Sequence, residues 1–496
     1  MTSYLGIDLG TTFSAIATID ETGRPKILTN NGKSTTPSCV MIDNDQLIVG
    51  EVPEKRLGIS GYDVGARFKR NMGEDTLIRL GAREFTPTDL SAAVLSNLKR
   101  AAENSVGEIA EAVITIPANF MQEAREATML AAQKAGLTVK YIINEPTAAA
   151  LYYAFQGGDR LSGNYIVYDL GGGTFDVSVV KINGQNIDVI ATEGVSKLGG
   201  DDFDKALIAL IKRKFKDEYG VEISDEEIPL VNAVKLKHDL SHKMRVRFMS
   251  DDELIEITRE DFEGAISSLI SQTELLCEAV LEEADLGISD ISQVLLAGGS
   301  TRMPCVIESI ERVFGQKPVV SENVDEVVAL GAALYAATKG DGAYLTPAQS
   351  NSVQKLKVSE ISTFYFGTIA VSYNKARDTE ELQNSVIINK GEKLPCARTE
   401  IFSTVSDGQT GLNCQVTKSG SPESDPRFVS IVWQGELELP AGRPKGQKVE
   451  ITYEFDENGM MKCSFSDVAS GRSQKIELDQ VTAESTASNI DKFLVD

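Results

Sequence analysis

The same short hairpin is written twice in this chain. Gly6-Ile7-Asp8-Leu9-Gly10-Thr11-Thr12-Phe13 is echoed by Val167-Tyr168-Asp169-Leu170-Gly171-Gly172-Gly173-Thr174-Phe175. Each copy is an apolar strand, an aspartate, a Gly/Thr turn and a returning strand. Two such copies, far apart, predict two similar lobes facing one another across a cleft. They exclude a solenoid, whose units recur every few tens of residues. At 496 residues the chain also exceeds what one hydrophobic core serves, so two or more domains are expected.

Up to about Lys339, short β-branched runs alternate with alanine-rich stretches. Leu5–Asp8, Phe13–Ile19, Glu111–Ile116 and Val139–Ile143 read as strands. Gln122–Ala135 reads as a helix closed by Gly136, and a second helix runs from Glu145-Pro146 through Tyr153. Such alternation implies an α/β architecture. From Gly340 the residues turn small and polar, giving a predicted linker over 341–359. Beyond it helical periodicity fades. Alternating runs such as Val449–Phe455, closed by turns such as Asp456-Glu457-Asn458-Gly459, predict a β-sandwich over 360–482. A tail, 483–496, is expected to hold at most one short helix.

The net charge of -24 argues against a partner held by clustered Lys and Arg, so neither nucleic acid nor an anionic membrane is expected. Six scattered cysteines without a C-x-x-C pair, and only His238 and His242, predict neither a structural zinc site nor a disulfide framework. Met1–Asp8 shows no basic segment leading into an apolar run, and no stretch is long and apolar enough to span a bilayer. A reduced, cytoplasmic location is the expectation.

The chemistry concentrates in three glycine turns. In Asp8-Leu9-Gly10-Thr11-Thr12, glycine lets the backbone approach an anion and threonine adds donors, while the aspartate suits a metal ion or its waters. Taken alone, this reads better as an ordinary β-turn. The second copy places Gly171, Gly172 and Gly173 in a row before Thr174, which costs backbone entropy unless something must approach closely. The third, Val294-Leu295-Leu296-Ala297-Gly298-Gly299-Ser300-Thr301-Arg302-Met303-Pro304, is a buried strand, a glycine turn and a helix start. Its turn can cradle a nucleotide and the planar Arg302 guanidinium can stack on a base. No G-x-x-x-x-G-K-[ST] run exists, so this is not a P-loop enzyme.

These motifs, with Ile143-Asn144-Glu145-Pro146-Thr147-Ala148-Ala149-Ala150 and Leu198-Gly199-Gly200-Asp201-Asp202-Phe203-Asp204, resemble in content and order the signatures of the DnaK-type heat-shock chaperones. The resemblance spans nearly the whole chain. It implies an ATPase domain of the actin and hexokinase superfamily (1–340) joined to a peptide-binding β-sandwich. It implies ATP and Mg²⁺ as ligands, extended polypeptides as clients, and a J-domain cochaperone and an exchange factor as partners. By resemblance Thr11 and Thr12 form the first phosphate loop, and Gly171, Gly172, Gly173 and Thr174 the second. Asp8 and Asp169 hold hydrated Mg²⁺. Phe68-Lys69-Arg70-Asn71-Met72-Gly73 matches the segment bearing the catalytic lysine, Lys69. Glu145 positions metal and attacking water. Gly199, Gly200 and Asp201 contact nucleotide, and Gly298, Gly299, Ser300, Arg302 and Asp325 serve the adenosine side. Pro117 and Arg125 relay nucleotide state towards the second domain. Phosphoryl transfer to water needs charge neutralisation and in-line positioning more than covalent help, and this set supplies both.

The chain departs from the family in several places. In the helix Asn232–His242, Lys237 and Ser241 are kept, but His238 replaces the stacking arginine and Val234 the ribose-contacting glutamate. The stretches between Gly73 and Thr86 and between His242 and Ile257 are short. The interdomain segment Lys355-Leu356-Lys357-Val358-Ser359-Glu360 alternates instead of running apolar, and the end at Asp496 leaves no room for a helical lid. In the back domain the resemblance assigns Phe402, Val405 and Leu412 to a hydrophobic peptide groove, whereas alternation alone assigns them to the sandwich core. Two other functions stay open. One is a nucleotide-gated binding module with little turnover, suggested by the short loops and altered linker. The other is a small-molecule kinase of the same superfamily, against which the β-rich tail argues.

Overall fold

The computed structural model describes residues 2–250, 252–319, 323–374 and 378–477. The chain divides into two compact units between Val358 and Ser359.

The first unit contains two sheets built to one plan. In one, strand Ser3–Asp8 lies between an antiparallel neighbour, Phe13–Ile19, and a parallel one, Ile109–Ile116, with Pro25–Leu28 and Val139–Asn144 outside them. In the other, Ser162–Leu170 lies between antiparallel Phe175–Asn183 and parallel Ile291–Ala297, with Asn186–Val195 beyond. The duplicated hairpin is therefore the centre of each sheet. In both copies the aspartate stands at the end of the central strand, Asp8 opposite Ala15 and Asp169 opposite Asp176. Parallel neighbours need crossover helices. Gln122–Lys134 makes one such crossover, and Pro87–Val106, which leads into Ile109–Ile116, opens on a Thr86–Asp89 capping box.

Each sheet has its own core. Leu5, Ile7, Phe68, Met72 and Leu90 belong to the first, and Tyr168, Phe175, Phe203, Leu207 and Phe262 to the second. Two buried alanine-rich helices join them. Val327–Lys339 packs on the first sheet, Glu145–Gly157 on the second, and the two pack on each other. Their crossing depends on glycine: a Cβ on Gly331 would stand 1.7 Å from the Ala148 carbonyl oxygen.

The elements expected from sequence are present with small shifts. Phe13–Ile19 keeps its expected bounds, while the helix from Glu145 runs on to Gly157. The predicted linker differs more. Within it lies a helix, Pro347–Val353, capped by Thr346 and Gln349. Gln349 Nε2 donates to the Asp20 carbonyl at 3.0 Å and Ser352 Oγ to that of Gly23 at 2.8 Å. The small polar residues that suggested flexibility instead supply a cap and surface hydrogen bonds, so the first unit continues to Val358.

In the second unit two four-stranded antiparallel sheets share one core. The first orders Thr379–Ile388, Tyr365–Asn374, Gly411–Ser419 and Ser430–Glu438. The second orders Cys396–Ser403, Lys448–Phe455, Met461–Asp467 and Ser473–Glu477. Val416 and Leu437 from one meet Val449, Ile451, Tyr453 and Phe465 from the other. The alternation read in Val449–Phe455 is the burial pattern observed there. Tyr453 Oη donates to the Gly367 carbonyl at 2.8 Å, which satisfies its buried hydroxyl across the core. The expected tail, 483–496, lies outside the described residues.

Candidate functional site

The two aspartate turns meet. A Cβ on Gly172 would stand 1.8 Å from Thr12 Oγ1, and one on Gly173 would stand 2.5 Å from Thr11 Cγ2. The threonines of one turn therefore lie directly on the backbone of the other. Thr12 Oγ1 is buried without a hydrogen-bond partner, a donor left over for a ligand. Gly10 is demanded by the tightness of its own turn, since a Cβ there would lie 1.9 Å from the Phe13 carbonyl oxygen. Thr174, also buried, closes the second turn by accepting from Gly171 N at 3.1 Å.

The other predicted glycine segments converge on the same turn. Gly200 N donates to Gly171 O at 3.0 Å and Asp201 N to Gly172 O at 2.7 Å, so Gly199 and the helix start after it sit against the second turn. Ser300 Oγ donates to Gly171 O at 2.9 Å. Gly298, at φ 82, admits the Leu170 carbonyl, and Gly299 admits the Asp325 carboxylate, to which Arg302 is paired at 2.7 Å. Lys237 Nζ donates to Gly200 O at 2.7 Å and pairs with Asp204 at 2.8 Å, while Ser241 Oγ reaches the Lys237 carbonyl at 3.5 Å. His238 is exposed at one edge. The protein mass around its ring and the Lys237 cation hold its pKa below the usual value, against the opposing pull of Asp325.

Acidic groups gather around Lys69. It stands on the short turn Phe68–Asn71 and forms a buried ion pair with Glu145, the first residue of its helix. The Phe120 ring lies 5.9 Å from its ammonium group. Burial and the neighbouring Glu145 push Asp8 up to about 7, partly offset by Lys69 and by the Thr115 hydroxyl, which donates to Asp8 Oδ1 at 2.9 Å. Burial, then Glu145, Asp176 and Asp8, raises Asp169 well above the carboxylate range.

Asp176 joins this group, although the sequence reading gave it no role. Burial and Glu145 raise its pKa strongly; the amides of Ala118 and Asn119 ease the shift without bringing either oxygen into full hydrogen-bond geometry. The available signal was its place directly across the hairpin from Asp169. Pro117 opens the same Ala118–Phe120 turn. Arg125 Nε donates to the Phe120 carbonyl at 3.1 Å and its Nη2 reaches Ala118 O and Asn144 Oδ1 at 3.4 Å, so the predicted relay residues brace a segment that borders the acidic cluster.

Several carboxylates around one lysine in a buried setting call for a cation. The orphaned Asp176 oxygens and Thr12 hydroxyl fit a metal-bound polyphosphate. Among the described residues no three His, Cys, Asp or Glu side chains form a group that could hold a metal ion.

In the second unit Phe402 and Leu412 are half-buried and pack against the shared core, whereas Val405 is exposed. Beside them an open polar depression is lined by Gln409, Asn413, Gln434 and Glu436.

Facing Gly/Thr turns above carboxylates and a lysine have the chemistry of a nucleoside-triphosphate site. The family model for the Hsp70 protein matches residues 4–79 and 72–496, essentially the whole sequence, and the chain belongs to that family. Membership supports, in general form, a chaperone ATPase that binds ATP with Mg²⁺, polypeptide clients and cochaperones. Among the described residues no helix is long and apolar enough to cross a membrane.

Proposed function

We propose that the first unit is an actin-like ATPase and the second a β-sandwich that binds extended hydrophobic polypeptide segments, with ATP binding and hydrolysis in the one biasing release by the other. The observation that carries this reading is the contact of Thr11 and Thr12 with Gly172 and Gly173 above the Lys69–Glu145 pair. The triphosphate lies between the turns, held by Thr11, Thr12, Thr174 and backbone amides. Asp8 and Asp169, with Asp176, would hold Mg²⁺ through water, and the ion would supply charge neutralisation to the triphosphate. Lys69 meets charge developing on the γ-phosphate, and Glu145 orients Lys69 and the attacking water. Gly199, Gly200, Asp201, Lys237, His238, Ser241, Gly298, Gly299, Ser300, Arg302 and Asp325 receive the nucleoside end.

In the second unit Val405 is the exposed member of the predicted groove, with Phe402 and Leu412 forming its floor. Pro117 and Arg125 carry nucleotide state outward, and J-domain and exchange-factor partners act on a cytoplasmic protein. The test is release of a fluorescent extended peptide from the full chain. ATP with Mg²⁺ accelerates release relative to ADP on this reading. Release that responds to bound nucleotide with no ATP consumed favours the nucleotide-gated binding module, and release that ignores nucleotide defeats coupling.

A further inference from the structure

The segment bearing Lys69 belongs to the first core, through Phe68 and Met72, whereas the helix Gly200–Tyr219 belongs to the second, through Phe203 and Leu207. Charged pairs connect these two pieces. Arg67, immediately before the Lys69 turn, places Nε 2.6 Å from Asp201 Oδ1 and Nη2 3.6 Å from Asp204 Oδ2. Arg70, immediately after Lys69, pairs with Asp202. Lys237 completes the group at Asp204. With Lys205 also 3.2 Å from Asp202, four cations surround three carboxylates near the start of a helix whose first residues, Gly200-Asp201, are hydrogen-bonded to the Gly171-Gly172 phosphate turn.

Two features mark Arg67 as more than a surface pair. Its backbone is left-handed, φ 61 and ψ 12, a conformation that is strained for a non-glycine residue and persists only where the surroundings impose it. Its partners are almost wholly buried, with Asp201 and Asp204 side chains each 2% exposed. The link is also unsaturated: Arg67 Nε and Asp201 Oδ2 are buried without a partner in aligned hydrogen-bond geometry.

We propose that Arg67 is a positioning residue that clamps the Lys69 segment to the helix carrying the second phosphate turn, so that closure of the cleft and placement of Lys69 are one event. The inference rests on the ATPase reading. Arg67 touches no reacting atom; it sets the distance between Lys69 on one side of the cleft and the phosphate turn on the other. Opening the clamp releases nucleotide and withdraws the lysine together.

The experiment measures single-turnover hydrolysis of Mg-ATP and dissociation of a fluorescent ADP analogue for the full chain and for Arg67→Ala, Arg67→Lys and Asp201→Asn. The expected result is hydrolysis slowed roughly tenfold or more in Arg67→Ala, as a misplacement of about 1 Å produces, with faster ADP release. Arg67→Lys recovers part of both rates, and Asp201→Asn, which keeps side-chain shape, moves both in the direction of Arg67→Ala. Equal loss in Arg67→Ala and Arg67→Lys, with normal ADP release and a lowered melting temperature, would show a purely structural role and overturn the clamp. Wild-type turnover with unchanged Arg67→Ala rates overturns the clamp alone. A wild-type protein that neither binds nor hydrolyses ATP defeats the ATPase reading and the clamp with it.

Discussion

Thr12 and Gly172 come from opposite turns, and the Thr12 hydroxyl occupies the space a Cβ on Gly172 would need, 1.8 Å away. Neither turn can carry a bulkier residue there without pushing the two hairpins apart. Gly172→Ala should therefore separate the phosphate turns while leaving both cores intact. The expected outcome is a loss of hydrolysis of roughly 100-fold, comparable to removing one preorganised donor from a charge-stabilising site, with a small change in melting temperature. Calorimetry and a phosphate-release assay check the two halves of this prediction.

Asp8 gives a pH dependence with a definite sign. Its carboxyl is pushed up to about 7 in the folded protein by burial and by Glu145. Between the unfolded value of about 3.9 and about 7, the folded state holds a proton that the unfolded state has lost, so this group's contribution to stability falls as pH rises through that window. Asp8→Asn keeps an acceptor for the Thr115 hydroxyl and removes the titration. In nucleotide-free, Mg²⁺-free buffer the variant should melt above wild type at about pH 7.5 and level with it near pH 4. A wild-type advantage at the higher pH contradicts the assignment.

The groove residues separate by burial. Phe402 packs on the shared core and Val405 is exposed. Phe402→Ala is expected to destabilise the second unit by about 2 kcal/mol, less than a fully buried Phe→Ala, measured by denaturant unfolding. Val405→Asp should leave that stability nearly unchanged and weaken binding of an apolar peptide at least tenfold by anisotropy. The reverse pattern places the groove elsewhere.

Much of this was legible in the chain because glycine, aspartate and threonine at a turn leave few structural options. The hairpins at Asp8 and Asp169, the helix from Glu145 and the β-rich second unit all follow from local pattern. What stayed hidden depends on contacts between distant segments. Nothing near Arg67 announces Asp201, which lies on another core, and Asp176 acquires its neighbours only when Lys69 and Glu145 fold against the hairpin. Pro347–Val353 was missed because its cap and its contacts to Asp20 and Gly23 are made by residues that, in isolation, favour loops. Phe402 and Leu412 show the limit of resemblance, for burial, not motif, decides how much of each a peptide can reach.

In the proposed function Lys69 acts at a phosphate held between the two turns. The direct measurement is single-turnover hydrolysis of Mg-ATP by the purified chain beside Lys69→Ala, with nucleotide binding measured in parallel. Slow turnover in the wild type, lost by at least 100-fold in Lys69→Ala while ATP still binds, is the predicted result. Turnover that survives the substitution, or ATP bound tightly by the wild type and never hydrolysed, contradicts it.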